Sequence, residues 1–252
     1  MVNVMNVLKS YGSKKVIDHV SVKIPKGKIT SFIGPNGAGK STLLSIISRL
    51  EFSDEGDVYI DGEAVSRTNS KKLAKKISIL KQSNHMNIRL TVRELVAFGR
   101  FPHSEGRLTD ADQKIIDKAI CYMELEEYEN RYLDELSGGQ RQRAYIAMVL
   151  AQNTEYILLD EPLNNLDMKH SVQIMKVLRK LADELGKTVL IVIHDINFAS
   201  FYSDYIVAMK DGKIVKQGKT DDIIRPSVLK EIYDMDIQIQ DYCQNKFCLY
   251  YG

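Results

Sequence analysis

The sequence predicts an α/β fold with a parallel sheet at its centre, an N-terminal antiparallel β subdomain and an inserted helical subdomain. Three observations predict it. Ile29 to Ile33, Tyr156 to Leu159 and Val189 to Ile193 are short continuous apolar runs, the pattern of strands buried on both faces. Lys169 to Leu185 is amphipathic, with Ile174, Leu178, Leu181 and Leu185 on one face, and it stands between two of those runs. Strand, helix and strand in that order imply a parallel sheet covered on both faces. Residues from about 84 to 150 show helical periodicity, many charges and no clear strand, as expected of a helical lobe inserted into the core.

The elements follow in order. The first 33 residues read as short strands: Val2, Val4 and Leu8 are apolar, and Val16, Val20, Val22 and Ile24 carry a period-two pattern. A helix is expected from Lys40 to about Leu50, with Leu43, Leu44, Ile46, Ile47 and Leu50 on its apolar face. Asp61-Gly62 closes a hairpin after Val58 to Ile60. Thr91 caps a helix, with Glu94 at capping-box spacing. Asp110 to Leu125 and Gly138 to Ala151 read as two more helices, and Ile206 to Met209, Asp211-Gly212 and Ile214-Val215 as a last hairpin. There is no internal repeat, and residues 1–252 read as one domain.

Composition narrows the classes. A formal net charge of +2 makes no demand for a nucleic-acid partner. Cys121, Cys243 and Cys248 are few and odd in number, which argues against a disulfide framework and favours free thiols. No secretory signal stands at the start, and the longest apolar runs fall far short of the roughly 20 residues of a membrane helix. Any membrane function must therefore come from a partner.

The strongest local signal is Gly34-Pro35-Asn36-Gly37-Ala38-Gly39-Lys40-Ser41, which matches the phosphate loop G-x-x-x-x-G-K-S/T. Its glycines let backbone N–H groups converge on phosphate oxygens, and the helix that follows adds its positive end. Lys40 would reach the β- and γ-phosphates, the Ser41 hydroxyl would bind Mg²⁺, and Thr42 continues the nucleotide contact. A glycine-rich turn before a helix is the plainer reading, but the strand before and the helix after supply the context that phosphate binding requires. The core is accordingly that of a phosphate-loop NTPase. Tyr156 to Glu161 is an apolar strand ending in two carboxylates. Asp160 would hold Mg²⁺, and Glu161 would orient and polarise the attacking water. Leu136-Ser137-Gly138-Gly139-Gln140 opens a helix on an N-cap serine and two glycines. A second anion-binding helix start makes sense if it serves the ATP of another subunit.

With LSGGQ lying between the phosphate loop and the Asp-Glu strand, the sequence resembles the nucleotide-binding subunit of ABC transporters over essentially its whole length. The resemblance implies ATP and Mg²⁺ as cofactors and further roles. Tyr11 would stack on adenine. Gln82 would sense Mg²⁺ and the membrane partner. Asp167 would link two active sites, and His194 would contact the γ-phosphate. Ser137, Gly138, Gly139 and Gln140 would meet the ATP of the opposite subunit in a homodimer. Lys81 and Leu163-Asn164-Asn165 depart from the commonest family forms but remove no catalytic group.

Thr91 to His103, Leu166 to His170, His194 to Asn197 and Val207 to Val215 are similar to the subunits that drive bacterial iron–siderophore uptake. This resemblance implies a peripheral subunit on the cytoplasmic face of the membrane. Its partners would be integral permease subunits and, indirectly, an extracytoplasmic siderophore-binding protein. Catecholate siderophores, petrobactin among them, are the expected cargo. Vitamin B12 and haem importers are similar too. A non-transport ABC ATPase, such as an iron–sulfur assembly component, and a phosphate-loop kinase with a chance LSGGQ stay open at this point.

Overall fold

The computed structural model describes residues 1–82, 88–242 and 245–250. The chain divides into two compact units, Met1–Thr68 with Arg179–Gly252, and Asn69–Leu178.

The first unit begins with strands β1 (Val2–Tyr11) and β2 (Lys14–Ile24), continues through β3 (Ile29–Ile33) and helix α1 (Lys40–Ile47), and returns through β4 (Glu55–Ile60) and β5 (Glu63–Ala64). The sheet order β2-β1-β4-β5 is antiparallel throughout. Val4 faces Val22 on one side and Val58 on the other, and all three are buried. The strands form as read, but the period-two alternation is interrupted in each of β1 and β2. Asn6 and His19 adopt left-handed backbone, and the register shifts between Val4 and Val7. A bulge adds a residue and reverses the alternation beyond it. Val7 and Ile17 are therefore fully buried, while Leu8 and Val16 are only half-buried. The helix α1 also stops earlier than expected. Arg49 turns into the left-handed region, held by its guanidinium on the carbonyls of Val65 and Thr68, and Leu50 is left exposed.

The second unit holds α2 (Ser70–Lys76), β6 (Ile77–Leu80), α3 (Val92–Phe98), α4 (Phe101–Ser104), α5 (Asp110–Tyr122), α6 (Gly138–Ala151) and β7 (Tyr156–Asp160). It also holds the first part of α7 (Met168–Leu185), which runs on into the other unit. Strands β6 and β7 pair in parallel. Capping boxes start three helices: Thr91 with Glu94, Thr109 with Asp112, and Ser137 with Gln140. Helix α5 ends before the expected Leu125, because Glu124 takes left-handed backbone and Leu125 packs inward instead. Arg100 and Asp112 form a buried ion pair at 2.8 Å, and Arg100 Nη1 also donates to the Ala151 carbonyl at 2.9 Å. Asp112 is held at about 2 by the Thr109 backbone N–H, then by the Thr109 hydroxyl and Arg100.

The rest of the first unit comprises β8 (Thr188–Val192), α8 (Ile196–Tyr202), β9 (Tyr205–Lys210), β10 (Lys213–Lys219), α9 (Thr220–Ile223), α10 (Pro226–Tyr233), β11 (Gln238–Tyr242) and β12 (Asn245–Leu249). Strand β3 pairs in parallel with β8 and β9, and β9 pairs antiparallel with β10 through the left-handed Asp211-Gly212 turn. Strands β11 and β12 pair antiparallel, and the sequence pattern did not announce them. Long-range bonds seat them: Cys248 N–H donates to Asn197 Oδ1 at 2.7 Å, and Ser200 Oγ donates to the Lys246 carbonyl at 2.6 Å. Cys121 and Cys248 are free thiols, and Cys243 lies outside the described residues. Among the described residues no helix is long and apolar enough to cross a membrane.

Candidate nucleotide-binding and hydrolysis site

In the first unit, the fully buried strand β3 delivers the chain to the phosphate loop. Gly34 has φ 136°, and a Cβ there would lie 1.9 Å from the Met209 carbonyl oxygen. Backbone against backbone leaves no room for any side chain, so glycine is required. The Gly34 N–H donates to the Tyr233 hydroxyl at 3.1 Å. Burial pushes that phenol well above its ordinary pKa, so it stays protonated. Asn36 and Gly37 form the exposed tip of the loop, and Ala38, Gly39 and Lys40 turn inward. Gly39 is the N-cap of α1 and has no side chain to cap it, and the first-turn N–H groups of a helix are donors from which an anion accepts. Lys40 is buried, with Nζ donating to the carbonyls of Gly34 at 2.8 Å and Pro35 at 2.9 Å. The loop thus folds around its own cation.

Tyr11 closes strand β1 with a half-exposed ring. Its hydroxyl bonds the Glu51 carboxylate, which raises its pKa, while a hydrogen bond with Thr42 acts in the opposite direction. Tyr11 therefore sits beside the helix that the phosphate loop starts. His194 is exposed just past β8, and Asp195 next to it caps α8 by accepting from Asn197 N–H at 2.7 Å.

In the second unit, β7 is buried along its whole length and ends on Asp160. Glu161 then takes φ 49°, an uncommon backbone for a non-glycine residue, and the chain turns sharply. Glu161 Oε2 accepts from Gln82 Nε2 at 2.8 Å and from Asn164 Nδ2 at 2.6 Å. Gln142 Nε2, on α6, donates to the Pro162 carbonyl at 3.1 Å and ties the same turn to the LSGGQ helix. At the start of that helix, the Ser137 N–H donates to Gln140 Oε1 at 2.9 Å and the Gln140 N–H to Ser137 Oγ at 3.2 Å. A Cβ on Gly139 would lie 3.3 Å from the Asn165 carbonyl oxygen, so the helix start and the turn after β7 are neighbours. Asp167 accepts from the His170 backbone N–H at 2.8 Å and caps α7. That bond is the main reason its carboxyl lies below the usual range.

Each unit thus gathers its own share of the expected residues. Tyr11, the loop from Gly34 to Thr42 and His194 belong to the first, and Gln82, Ser137 to Gln140, Asp160 and Glu161 belong to the second. Three residues that touch them did not stand out in the sequence: Glu51, Asn164 and Tyr233. Asn164 appears there only as a departure from a common pattern, although its place three residues after Glu161 is a turn spacing. Tyr233 carried no local signal, because its partner Gly34 is 199 residues away.

A phosphate loop on a buried strand, an Asp-Glu pair ending another, and a glycine-opened capped helix define an ATP-hydrolysing cassette. The family model described as ABC transporter matches residues 17–164, and the chain belongs to that family. The chain is 63% identical over 252 residues to the petrobactin import ATP-binding protein YclP of Bacillus subtilis (strain 168), covering 100% of both. It is 45% identical over 231 residues to the iron(3+)-hydroxamate import ATP-binding protein FhuC of the same organism, covering 91% of this chain and 86% of that one. Among solved structures, it resembles the dimeric post-hydrolysis state of the ATP-binding cassette MJ0796 bound to ADP and Pi. The TM-score there is 0.80 at 37% identity, over 87% of this chain and 99% of the other. The chain is an ATPase that binds and hydrolyses ATP.

Proposed function

We propose that this chain powers the uptake of an iron–siderophore complex, with petrobactin the leading candidate, by a membrane ABC importer. The observation that carries the reading is the 63% identity, over 100% of both chains, to a petrobactin import ATP-binding protein. The 55% identity over 239 residues to the petrobactin import ATP-binding protein FatE of Bacillus anthracis points the same way. The chain acts as one ATPase domain, with about residues 84–150 as its helical part. It works as a homodimer on the cytoplasmic face of the membrane, docked to integral permease subunits that an extracytoplasmic binding protein supplies with cargo.

The site roles follow from the chemistry of each group. Lys40 and the N–H groups of Gly34 to Thr42 bind the phosphates, and Tyr11 stacks on adenine through its exposed ring face. Ser41, Gln82 and Asp160 bring only hard oxygen donors, the set Mg²⁺ prefers, and they would hold it. When bound, Mg²⁺ supplies neutralisation of phosphate charge. Ser137, Gly138, Gly139 and Gln140 meet the γ-phosphate of the partner subunit's ATP, so two sites form together across a two-fold interface. Water attacks the γ-phosphorus, Glu161 takes its proton, and the bond from the γ-phosphorus to the β–γ bridging oxygen breaks to release ADP. His194 contacts the γ-phosphate.

The test is to purify the chain with its membrane partner and measure ATPase stimulation by loaded binding proteins. Stimulation by a ferric-siderophore-loaded protein is the expected result. Stimulation only by a cobalamin-loaded or haem-loaded protein would overturn the cargo while keeping the transporter.

A further inference from the structure

Glu161 and Asn165 both hold left-handed backbone, at φ 49° and 64°. Each such residue costs roughly 1–2 kcal/mol, so the turn between them must be held by its surroundings. Asn164 supplies two of the bonds. Its backbone N–H donates to the Glu161 carbonyl at 3.3 Å, and its side-chain Nδ2 donates to Glu161 Oε2 at 2.6 Å. One residue therefore grips both the backbone and the carboxylate of Glu161. Gln82 donates to the same oxygen at 2.8 Å, but it reaches in from the end of β6, 79 residues away. Asn164 belongs to Glu161's own turn, and that turn is fastened to α6 through Gln142 and Pro162.

We infer that Asn164 is a positioning residue for ATP hydrolysis: its amide locks the Glu161 carboxylate in one orientation on a rigid turn. The inference rests on the reading of Glu161 as general base. A glutamate side chain turns about three bonds, and a base that samples many orientations is aligned with the attacking water only part of the time. Two amide donors on one oxygen stop that rotation. Without Asn164, Glu161 Oε2 loses the donor that belongs to its own turn and keeps the Gln82 donor that reaches in from β6.

The experiment measures steady-state ATP hydrolysis and nucleotide affinity of the full chain with Mg²⁺. It uses Asn164→Ala, Asn164→Ser, Asn164→Asp, Glu161→Gln and the double variant of Asn164→Ala with Glu161→Gln. Asn164→Ala should lower kcat by about tenfold to a hundredfold, with nucleotide affinity and KM for ATP little changed. Serine keeps a donor and should recover part of the loss. Aspartate has the shape of asparagine but no donor and an added negative charge, so it should do no better than alanine. In the Glu161→Gln background, Asn164→Ala should cost nothing further. The inference is overturned if Asn164→Ala turns over at the unsubstituted rate. It is overturned equally if all three Asn164 variants lose rate and nucleotide affinity together, which marks a merely structural role. A Glu161→Gln protein that hydrolyses ATP freely sinks the base assignment itself. An inactive Glu161→Gln beside a fully active Asn164→Ala sinks only the positioning.

Discussion

Replacing Glu161 by glutamine isolates the proposed proton-accepting role from everything else the side chain does. The carboxylate oxygen Oε2 accepts two amide hydrogen bonds, from Gln82 at 2.8 Å and Asn164 at 2.6 Å. A glutamine can put its carbonyl oxygen in the same place and keep both bonds. Its length and its uncommon backbone are also retained, so the turn after β7 should persist and ATP should still bind. What disappears is basicity, since an amide does not take a proton at neutral pH. General-base catalysis contributes about 10²–10⁴ in rate. At 1.36 kcal/mol per decade that is about 2.7–5.4 kcal/mol of activation free energy. Phosphate release by the full chain with Mg²⁺ and ATP measures the loss, calorimetric titration measures nucleotide affinity, and size-exclusion chromatography with ATP detects the dimer. The variant should bind ATP as before, be nearly inactive and accumulate as a dimer. Turnover within about threefold of the unsubstituted protein would remove Glu161 from the chemistry.

Two further outcomes test the frame around the site. Asp112→Ala leaves the buried Arg100 guanidinium without its carboxylate and should destabilise the protein by about 3–5 kcal/mol, read from urea unfolding. Because the folded-state pKa of Asp112 is depressed to about 2, its contribution is complete above the ordinary carboxyl value of 3.8 and is lost as pH falls towards 2. The gap between variant and unsubstituted protein should therefore narrow across that window, and a gap that stays constant would refute the assignment. Gly34→Ala forces a methyl to 1.9 Å from the Met209 carbonyl oxygen. It should cost at least about 1–3 kcal/mol in backbone strain and abolish nucleotide binding, both measurable by thermal unfolding with and without ATP. An alanine variant that ATP stabilises normally would contradict the close approach of β9.

Sequence alone determined the features whose chemistry lies within a few consecutive residues. The phosphate loop, the capped LSGGQ helix and the Asp160-Glu161 pair each carry their own local geometry, and each stands where periodicity places a strand end or a helix start. The buried strands were legible because continuous apolar runs have only one environment that suits them. Tertiary structure decided whatever depends on a partner distant in the chain. A single left-handed residue at Asn6, and another at His19, exchanged the buried and half-buried sides of two strands, because alternation has no memory beyond a bulge. The β11–β12 pair is seated by Asn197 and Ser200, about fifty residues upstream, and by burial of Cys248 in an apolar cluster of the first unit. Tyr233 meets Gly34 across about four-fifths of the chain, and Gln82 meets Glu161 across about a third of it. Such bonds leave no periodic trace, since one polar residue satisfies them and its neighbours are unconstrained. Which groups are candidates for the chemistry was written locally, whereas what holds them in place was settled by contacts that only the folded chain creates.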